Sequence, residues 1–407
     1  MLSKPTPNKI KALSQFMTLF AVLCFQLVGM PAHASGGQEE GKFKAGEMIV
    51  HHISDAHSIH FFGDVTLPLP CIVKTEKGFD FFMSSVFMDE HHEFTKTYTS
   101  ASTGNSYELH HEKIYVVDPA QHAEESHEEV AVMQDTLLVA TDTLATGAPV
   151  VAEAHAEEHE EIHGHPVLDF SITKSVFGMF LMLILVLVLF SRAAKAYEKR
   201  KGQAPKGLQN MLEPFVLFIK DEVAIPALGK KRAKKFLPFM LTSFFFIWAS
   251  NMLGLIPFLG GFNITGTLSI TLVLATFVFI LTTINGNAHY WGHIVWPPGV
   301  PVAIKFILVP IEFLSIFIKP AVLMIRLTAN INAGHIIILA FTSLIFIFGE
   351  KSAVAGYGVG VFSTLFIVFM FFIELLVAFL QAYVFTLLAA LYFGDATQEH
   401  HHEEAHH

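Results

Sequence analysis

Cysteine is nearly absent from this 407-residue chain, which has only Cys24 and Cys71. Two cysteines cannot build a disulfide framework. Charge is scarce as well: Asp, Glu, Lys and Arg make up 15% of the residues, against about 25% in ordinary soluble domains. A phosphate-cradling loop of the form G-x-x-x-x-G-K-[ST] does not occur. Gly349, Glu350, Lys351 and Ser352 come nearest and lack the spacing. No internal repeat is visible, which argues against a transporter built from duplicated halves. Histidine is plentiful, but no fixed ligand spacing recurs, so no dedicated metal site is expected. No cofactor is expected either.

What fills the chain is apolar. The hydrophobic share is 52%, with 40 Phe and a mean hydropathy of +0.50. That composition predicts a polytopic membrane protein. The net charge of −10 is unevenly spread. Residues 36–166 hold 24 Asp and Glu against 6 Lys, a balance of −18, so the rest of the chain carries +8.

Residues 1–34 read as a signal peptide. Lys4, Lys9 and Lys11 precede an apolar run over 13–30, and Ala32, His33 and Ala34 form an A-x-A cleavage site. A retained first membrane helix is the alternative; the helix-breaking Pro31 favours cleavage. Residues 35–166 then form an extracytoplasmic acidic and His-rich extension. Its first half, with Gly63, Pro68, Pro70 and Gly78 breaking apolar clusters, suits a few short strands. Residues 119–166, rich in Glu, His, Ala and Val, read as flexible. Pairs such as His51 and His52, His91 and His92, or His110 and His111 could bind zinc, but a solvated linker explains them more simply.

The membrane domain is placed at 167–395, with spans at 168–190, 236–258, 264–285, 302–348 and 359–393. Arg192, Lys195, Lys199, Arg200 and Lys201 follow the first span at once, which puts that end in the cytoplasm. Residues 208–229 mix apolar residues with Glu213, Lys220, Asp221 and Glu222 and predict an amphipathic helix on the cytoplasmic surface. Thr265, Thr267, Ser269 and Thr271 are read as helix-packing residues, and 349–358 as a short loop. A cytoplasmic His and Glu tail follows at 396–407. The fold class is therefore all-α polytopic, with five crossing helices plus one surface helix. The last two are too long to stand upright in a hydrocarbon core of about 30 Å and form an inclined hairpin. The N-terminal extension is partly disordered with some β structure.

Within the first of these long helices stand Lys319, Arg326 and His335. A cation at membrane depth costs a few kcal/mol or more and normally faces protein or water. On a wheel of about 100° per residue, Glu312, Ser315, Lys319, Arg326 and Asn330 share one stripe, and His335 lies opposite. Ser363, Glu374 and Gln381 share a face of the last helix by the same rule. Helix–helix hydrogen bonding explains the serines and Asn330. It explains an intramembrane Arg, His and Glu poorly, and a proton or ion path explains them better.

Arg326, Leu327, Thr328, Ala329 and Asn330, with Gly334 and His335 after them and Glu374 and Gln381 downstream, resemble subunit a of the rotary ATP synthase membrane sector. Asn251 to Pro257 and Pro310, Ile311 and Glu312 fit the same family. The resemblance covers 168–395. It implies a proton-conducting stator that couples proton flow through two half-channels to ring rotation, with ATP chemistry on partner chains. Arg326 would be the essential cation facing the carboxylate of the rotating c-ring, with Gln381 and Asn330 beside it. His335 and Glu374 would line the outer half-channel. Bacterial members often carry these two residue types in exchanged positions, whereas here they stand as in mitochondrial-type members. Glu312 and Asp395, the latter just past the last span, would line the cytoplasmic half-channel. Lys319, Asn332 and Asn251 would be secondary. The implied partners are the c-ring, the subunit b stalk and membrane lipids, with no nucleic acid. The implied location is the bacterial inner membrane, with the mature N-terminus outside and the C-terminus in the cytoplasm. An ion or zinc transporter of the inner membrane, suggested by the His-rich ends, is the alternative, and a scaffold protein leaves the polar stripe without a reason.

Overall fold

The computed structural model describes residues 53–60, 66–89, 94–110, 112–117, 164–200, 202–256 and 261–398, with Gly46 and Ile49. Residues 1–34, read from the sequence as a signal peptide, most of the His-rich stretch and the C-terminal tail lie outside the described residues. Two compact units emerge, Ser54–Ile184 and a second formed largely by Leu185–His407.

The first unit is built on short antiparallel strands. β1 (Ser58–His60) pairs with β2 (Thr66–Pro68). β3 (Pro70–Thr75) lies between β4 (Gly78–Met83) and β9 (Leu168–Asp169). β5 (Tyr98–Thr99), β6 (Ser106–His110), β7 (Lys113–Val117) and β8 (Gly164–Pro166) form a four-stranded sheet in that order. Side chains alternate across a strand, so Cys71, Val73 and Phe82 point inward. There they join Phe87, Tyr107, Leu109 and Ile114. Phe82 packs against Tyr98, Tyr107 and Phe87 with ring centroids 5.0, 5.4 and 5.6 Å apart. Full burial of a side chain such as Phe87 contributes about 2–3 kcal/mol. Burial, followed by the nearby Asp169, pushes the Cys71 thiol up to about 12, so it stays protonated.

One carboxylate ties this unit together. Asp80 is 1% exposed. It accepts hydrogen bonds from Ser100 Oγ and Tyr107 OH, both at 2.6 Å, and from the hydroxyls of Ser102 and Thr103. Burial alone would raise its pKa; the four hydroxyls outweigh burial and hold it at about 2. The loop 100–105 is thus folded around one buried anion.

The sequence places the first span at 168–190, but its first residues are strand, not helix. Leu168 and Asp169 pair with Lys74 and Val73. The pairing continues as Phe170 N donates to Ile72 O and Ile172 N to Pro70 O. The helix α1 begins at Lys174 and runs to Lys199. Asp55 fixes that start, accepting from Ser175 N and Thr173 Oγ1 at 2.9 and 2.7 Å, which satisfies one free backbone N–H of the first turn.

The second unit is helical. α2 (Leu208–Phe218) passes through a π-helical turn, Ile219–Ala224, into α3 (Ile225–Gly254). Pro226 has no N–H to continue the ordinary ladder, and Ile225 N reaches back five residues to Lys220 O. Gly229, at φ 74°, kinks the chain where only glycine is comfortable. The stretch 208–229, expected as one amphipathic surface helix, is α2, the π-helical turn and the start of α3. Its apolar side packs on protein: Phe215 meets Trp248 and Phe379, and Phe218 meets Tyr383.

α4 (Leu268–Ile284) turns by 100° into the short α5 (Ala288–Val295). Then come α6 (Val302–Lys351), of 50 residues, and α7 (Ala353–Thr397), of 45 residues. At 1.5 Å per residue they are about 75 and 68 Å long. Among the described residues, four helices are long and apolar enough to cross a membrane, or five if the bent α4–α5 pair counts as one. The expected loop at 349–358 is helix instead, and Ser352 alone makes the turn. A Cβ on Gly356 would lie 2.7 Å from the Cα of Gly349, so these glycines serve close approach of two helices rather than a loop. Asp395 lies inside the last turn of α7. α7 packs along α6 and α3, and α4 packs against α6.

Candidate functional site

Two polar clusters stand on α6 with Arg326 between them. The first gathers about His335. Its Nδ1 lies 3.8 Å from Oε1 of Glu374 on α7, too long for a direct hydrogen bond. Glu374 is 5% exposed, and neither of its oxygens has a hydrogen-bond partner among the described residues. Both side chains line a cleft of about 230 Å³ shared with Ser250, Asn251, Asn263 and Thr265. Two glycines make room for them. A Cβ on Gly334 would lie 2.8 Å from Glu374 Oε1, and one on Gly254 would lie 2.8 Å from Phe262 O and 3.6 Å from His335 Nε2.

The amides around this cleft are bound into the packing. Asn251 Nδ2 donates to Ala378 O at 3.1 Å, and Thr265 Oγ1 donates to Asn251 Oδ1. Asn263 Nδ2 donates to Asn332 Oδ1 at 2.6 Å, and Asn332 Nδ2 to Gly266 O at 3.1 Å. These bonds hold the end of α3, the start of α4 and the middle of α6 against each other. Sequence reasoning missed Ser250 and Asn263, gave Gly254 and Gly334 only as members of family motifs without a role, and read Thr265 as helix packing. The one signal available was a glycine immediately before His335. Thr267 and Thr271 do serve packing: each donates to a carbonyl of its own chain segment, and Thr271 also meets Thr328 Oγ1 at 2.7 Å.

The second cluster is about 24 Å along α6 from His335, by helical rise. Lys319 Nζ is 3.8 Å from Asp395 Oδ2 and lies 5.5 Å from the centre of the Tyr392 ring. Lys319, Tyr290 and Tyr392 line a second cleft of about 300 Å³. Glu312 and Asp395 both lie within electrostatic range of Tyr290. The sequence names Glu312, Lys319 and Asp395 but neither tyrosine. Basic residues collect at this same end. Arg232 Nη1 donates to Thr397 O and Lys235 Nζ to Asn285 Oδ1, while Lys230, Lys231 and Lys234 are exposed.

Arg326 stands between the two, about 13 Å from His335 and about 10 Å from Lys319 by helical rise. It and Asn330 are exposed, on a side of α6 that the described residues leave uncovered. Among the described residues it has no salt bridge; the Tyr392 ring is within its electrostatic range. Ser363, Glu374 and Gln381 are all buried, as their shared face on the wheel requires. The stripe on α6 is therefore divided. Its lower part, at Lys319, meets the end of α7, and its upper part, at Arg326, faces outward.

Comparison with known proteins settles what carries this arrangement. The family model described as ATP synthase A chain matches residues 176–394. The chain belongs to the ATP synthase A chain family. ATP synthase subunit a 2 of Chlorobaculum tepidum is 43% identical over 254 residues, covering 61% of this chain and 68% of that one. ATP synthase subunit a of Pelodictyon phaeoclathratiforme is 40% identical over 259 residues, covering 62% and 72%. The Myxococcus xanthus subunit a is 38% identical over 268 residues, covering 64% and 84%. As a family member the chain is a membrane protein of the ATP synthase complex and its proton-conducting stator subunit; the transporter alternative is not favoured. The extension has a match of its own: a domain of unknown function over residues 48–137.

Proposed function

We propose that protons pass through this subunit a by two separate half-paths that meet a rotating ring of small subunits at Arg326. The observation that carries the reading is Arg326 itself, a cation with no salt bridge among the described residues, exposed midway along an apolar helix. Such a charge calls for an acidic partner outside the chain. The carboxylates of a c-ring supply one.

The steps follow from charge and burial. A proton enters from the outside through the cleft of His335 and Glu374. Their 3.8 Å separation suits transfer through one bridging water. It neutralises a ring carboxylate, which can then face lipid, where a charged one would be costly. When the ring site returns, Arg326 favours its ionised form, with Gln381 and Asn330 orienting the approach. The proton leaves along the Glu312, Lys319 and Asp395 side. Arginine suits the post because it stays protonated and cannot relay the proton.

The crowding of Arg232, Lys235 and the exposed lysines at the Asp395 end supports a cytoplasmic placement for that end. The His335 cleft then opens outward, the C-terminus is cytoplasmic and the mature N-terminus is outside a bacterial inner membrane. The subunit b stalk is the further partner. The reading is tested with Arg326→Ala in the reconstituted complex. ATP-driven acidification of vesicles, read with a pH-sensitive dye, is abolished while the complex still assembles. Normal pumping by an assembled mutant would overturn the proposal.

A further inference from the structure

The three-stranded sheet of the extension has a second face that its own core does not use. β3 and β4 pair Ile72 with Phe81, Lys74 with Phe79 and Pro70 with Met83. β3 and β9 pair Lys74 with Leu168. Paired residues lie on one side of a sheet. Cys71, Val73, Asp80 and Phe82 take the inner side, so Ile72, Phe79, Phe81, Met83, Leu168 and Phe170 share the outer one. Phe81 is 71% exposed, Leu168 63% and Phe170 59%. The Phe79 and Phe81 rings stack at 6.4 Å, and Lys74 Nζ lies 5.6 Å from the Phe79 ring. A contiguous apolar face of this kind marks a membrane or protein contact.

Two observations say which. The first is tethering. Phe170 is followed within four residues by Lys174, the start of α1. The residues between do not swing free: Phe170 N and Ile172 N donate to β3, and Lys174 N donates to Ala56 O at 2.8 Å. The sheet is therefore held at the point where α1 enters the bilayer. The second is level. The uninterrupted apolar run of α1 begins at Val176, six residues after Phe170, so the sheet stands where the apolar part of the span starts. Lys174 does not snorkel; it is 7% exposed, within electrostatic range of Asp55 and Glu112. A cation sheltered by protein is what a lipid-level position demands.

We propose that the outer face of the β4–β3–β9 sheet rests in the outer leaflet of the membrane, and that this extension is a membrane-seated module. Phe81 and Phe170 reach the acyl boundary, and Lys74 stays at headgroup level, its stem along the Phe79 ring.

The test places a nitroxide label on Phe81→Cys or Phe170→Cys, in a Cys24→Ser background, within the full complex reconstituted in liposomes. Native Cys71 is 1% exposed and is not labelled. Collision with oxygen, which concentrates in lipid, is compared with collision with a water-soluble nickel chelate. Both labels are expected to favour oxygen several-fold, while a label on the exposed Lys113→Cys favours nickel. Labels at 81 and 170 that favour nickel would overturn the proposal, since the face would be in water. Labels reached by neither reagent would overturn it too, since protein would cover the face. The substituted side chains are exposed, so folding does not hang on them, and normal assembly of either variant suffices.

Discussion

The backbone of Gly334 passes directly beneath the carboxyl of Glu374, so close that a Cβ there would lie 2.8 Å from Oε1 and 3.1 Å from Cδ. One helix has been left bare so that the acid of another can lie beside His335.

Gly334→Ala should therefore turn the Glu374 carboxyl away from His335. Alanine is favoured over glycine in a helix by about 1 kcal/mol, so helix stability cannot explain a loss. A misplacement on the order of 1 Å can cost up to about 100-fold in a transfer step. Passive proton flux through the membrane sector in liposomes should fall at least about tenfold, with assembly unchanged. Undiminished flux would show that the close approach is packing alone.

Exchange of His335 and Glu374 tests whether they work as a pair. The double variant keeps one acid and one imidazole across the same gap. It should retain more ATP-driven pumping than either His335→Ala or Glu374→Ala, and equal damage in all three would argue against cooperation.

Asp80 gives the extension a predictable response to acid. Its folded pKa of about 2 lies below the unfolded value of about 3.9. The contribution to stability is about 2 kcal/mol. It is fully present above pH of about 5 and is lost as pH falls from about 4 toward 2. Amide exchange across residues 100–107 should accelerate over that window in the full chain. In Asp80→Asn the same amides should exchange faster at neutral pH and lose most of the acid dependence; an unchanged pattern would remove the anion from its central place.

Much of this was legible in the sequence, and for physical reasons. An Arg or Glu inside an apolar helix is expensive, so Arg326, Glu374 and Lys319 stand out without any structure. The angular spacing of Ser363, Glu374 and Gln381 foretold that they share a buried face. Other features had no such signal. A short polar residue such as Ser250 or Thr265 looks the same in sequence whether it bonds its own helix or lines a cleft. Leu168 lies close enough to the span that follows to be read as its start, and its pairing with Lys74 shows it to be strand. Gly349 and Gly356 read as loop because glycine usually marks one; here the missing side chains let two helices touch.

The last turn of α7 is fastened from several sides. A Cβ on Gly394 would lie 2.6 Å from Ala227 O, Arg232 Nη1 donates to Thr397 O, and Asn287 gives its N–H to Ala396 O and its amide to Thr397 O. Most of these bonds end on backbone carbonyls, which do not rotate away as side chains do. A machine part that pushes a rotor is pushed back with equal torque. The helix carrying Glu374 and Gln381 is bolted at its foot to α3 and to the α4–α5 elbow, so that sideways load is spread over three elements instead of bending one.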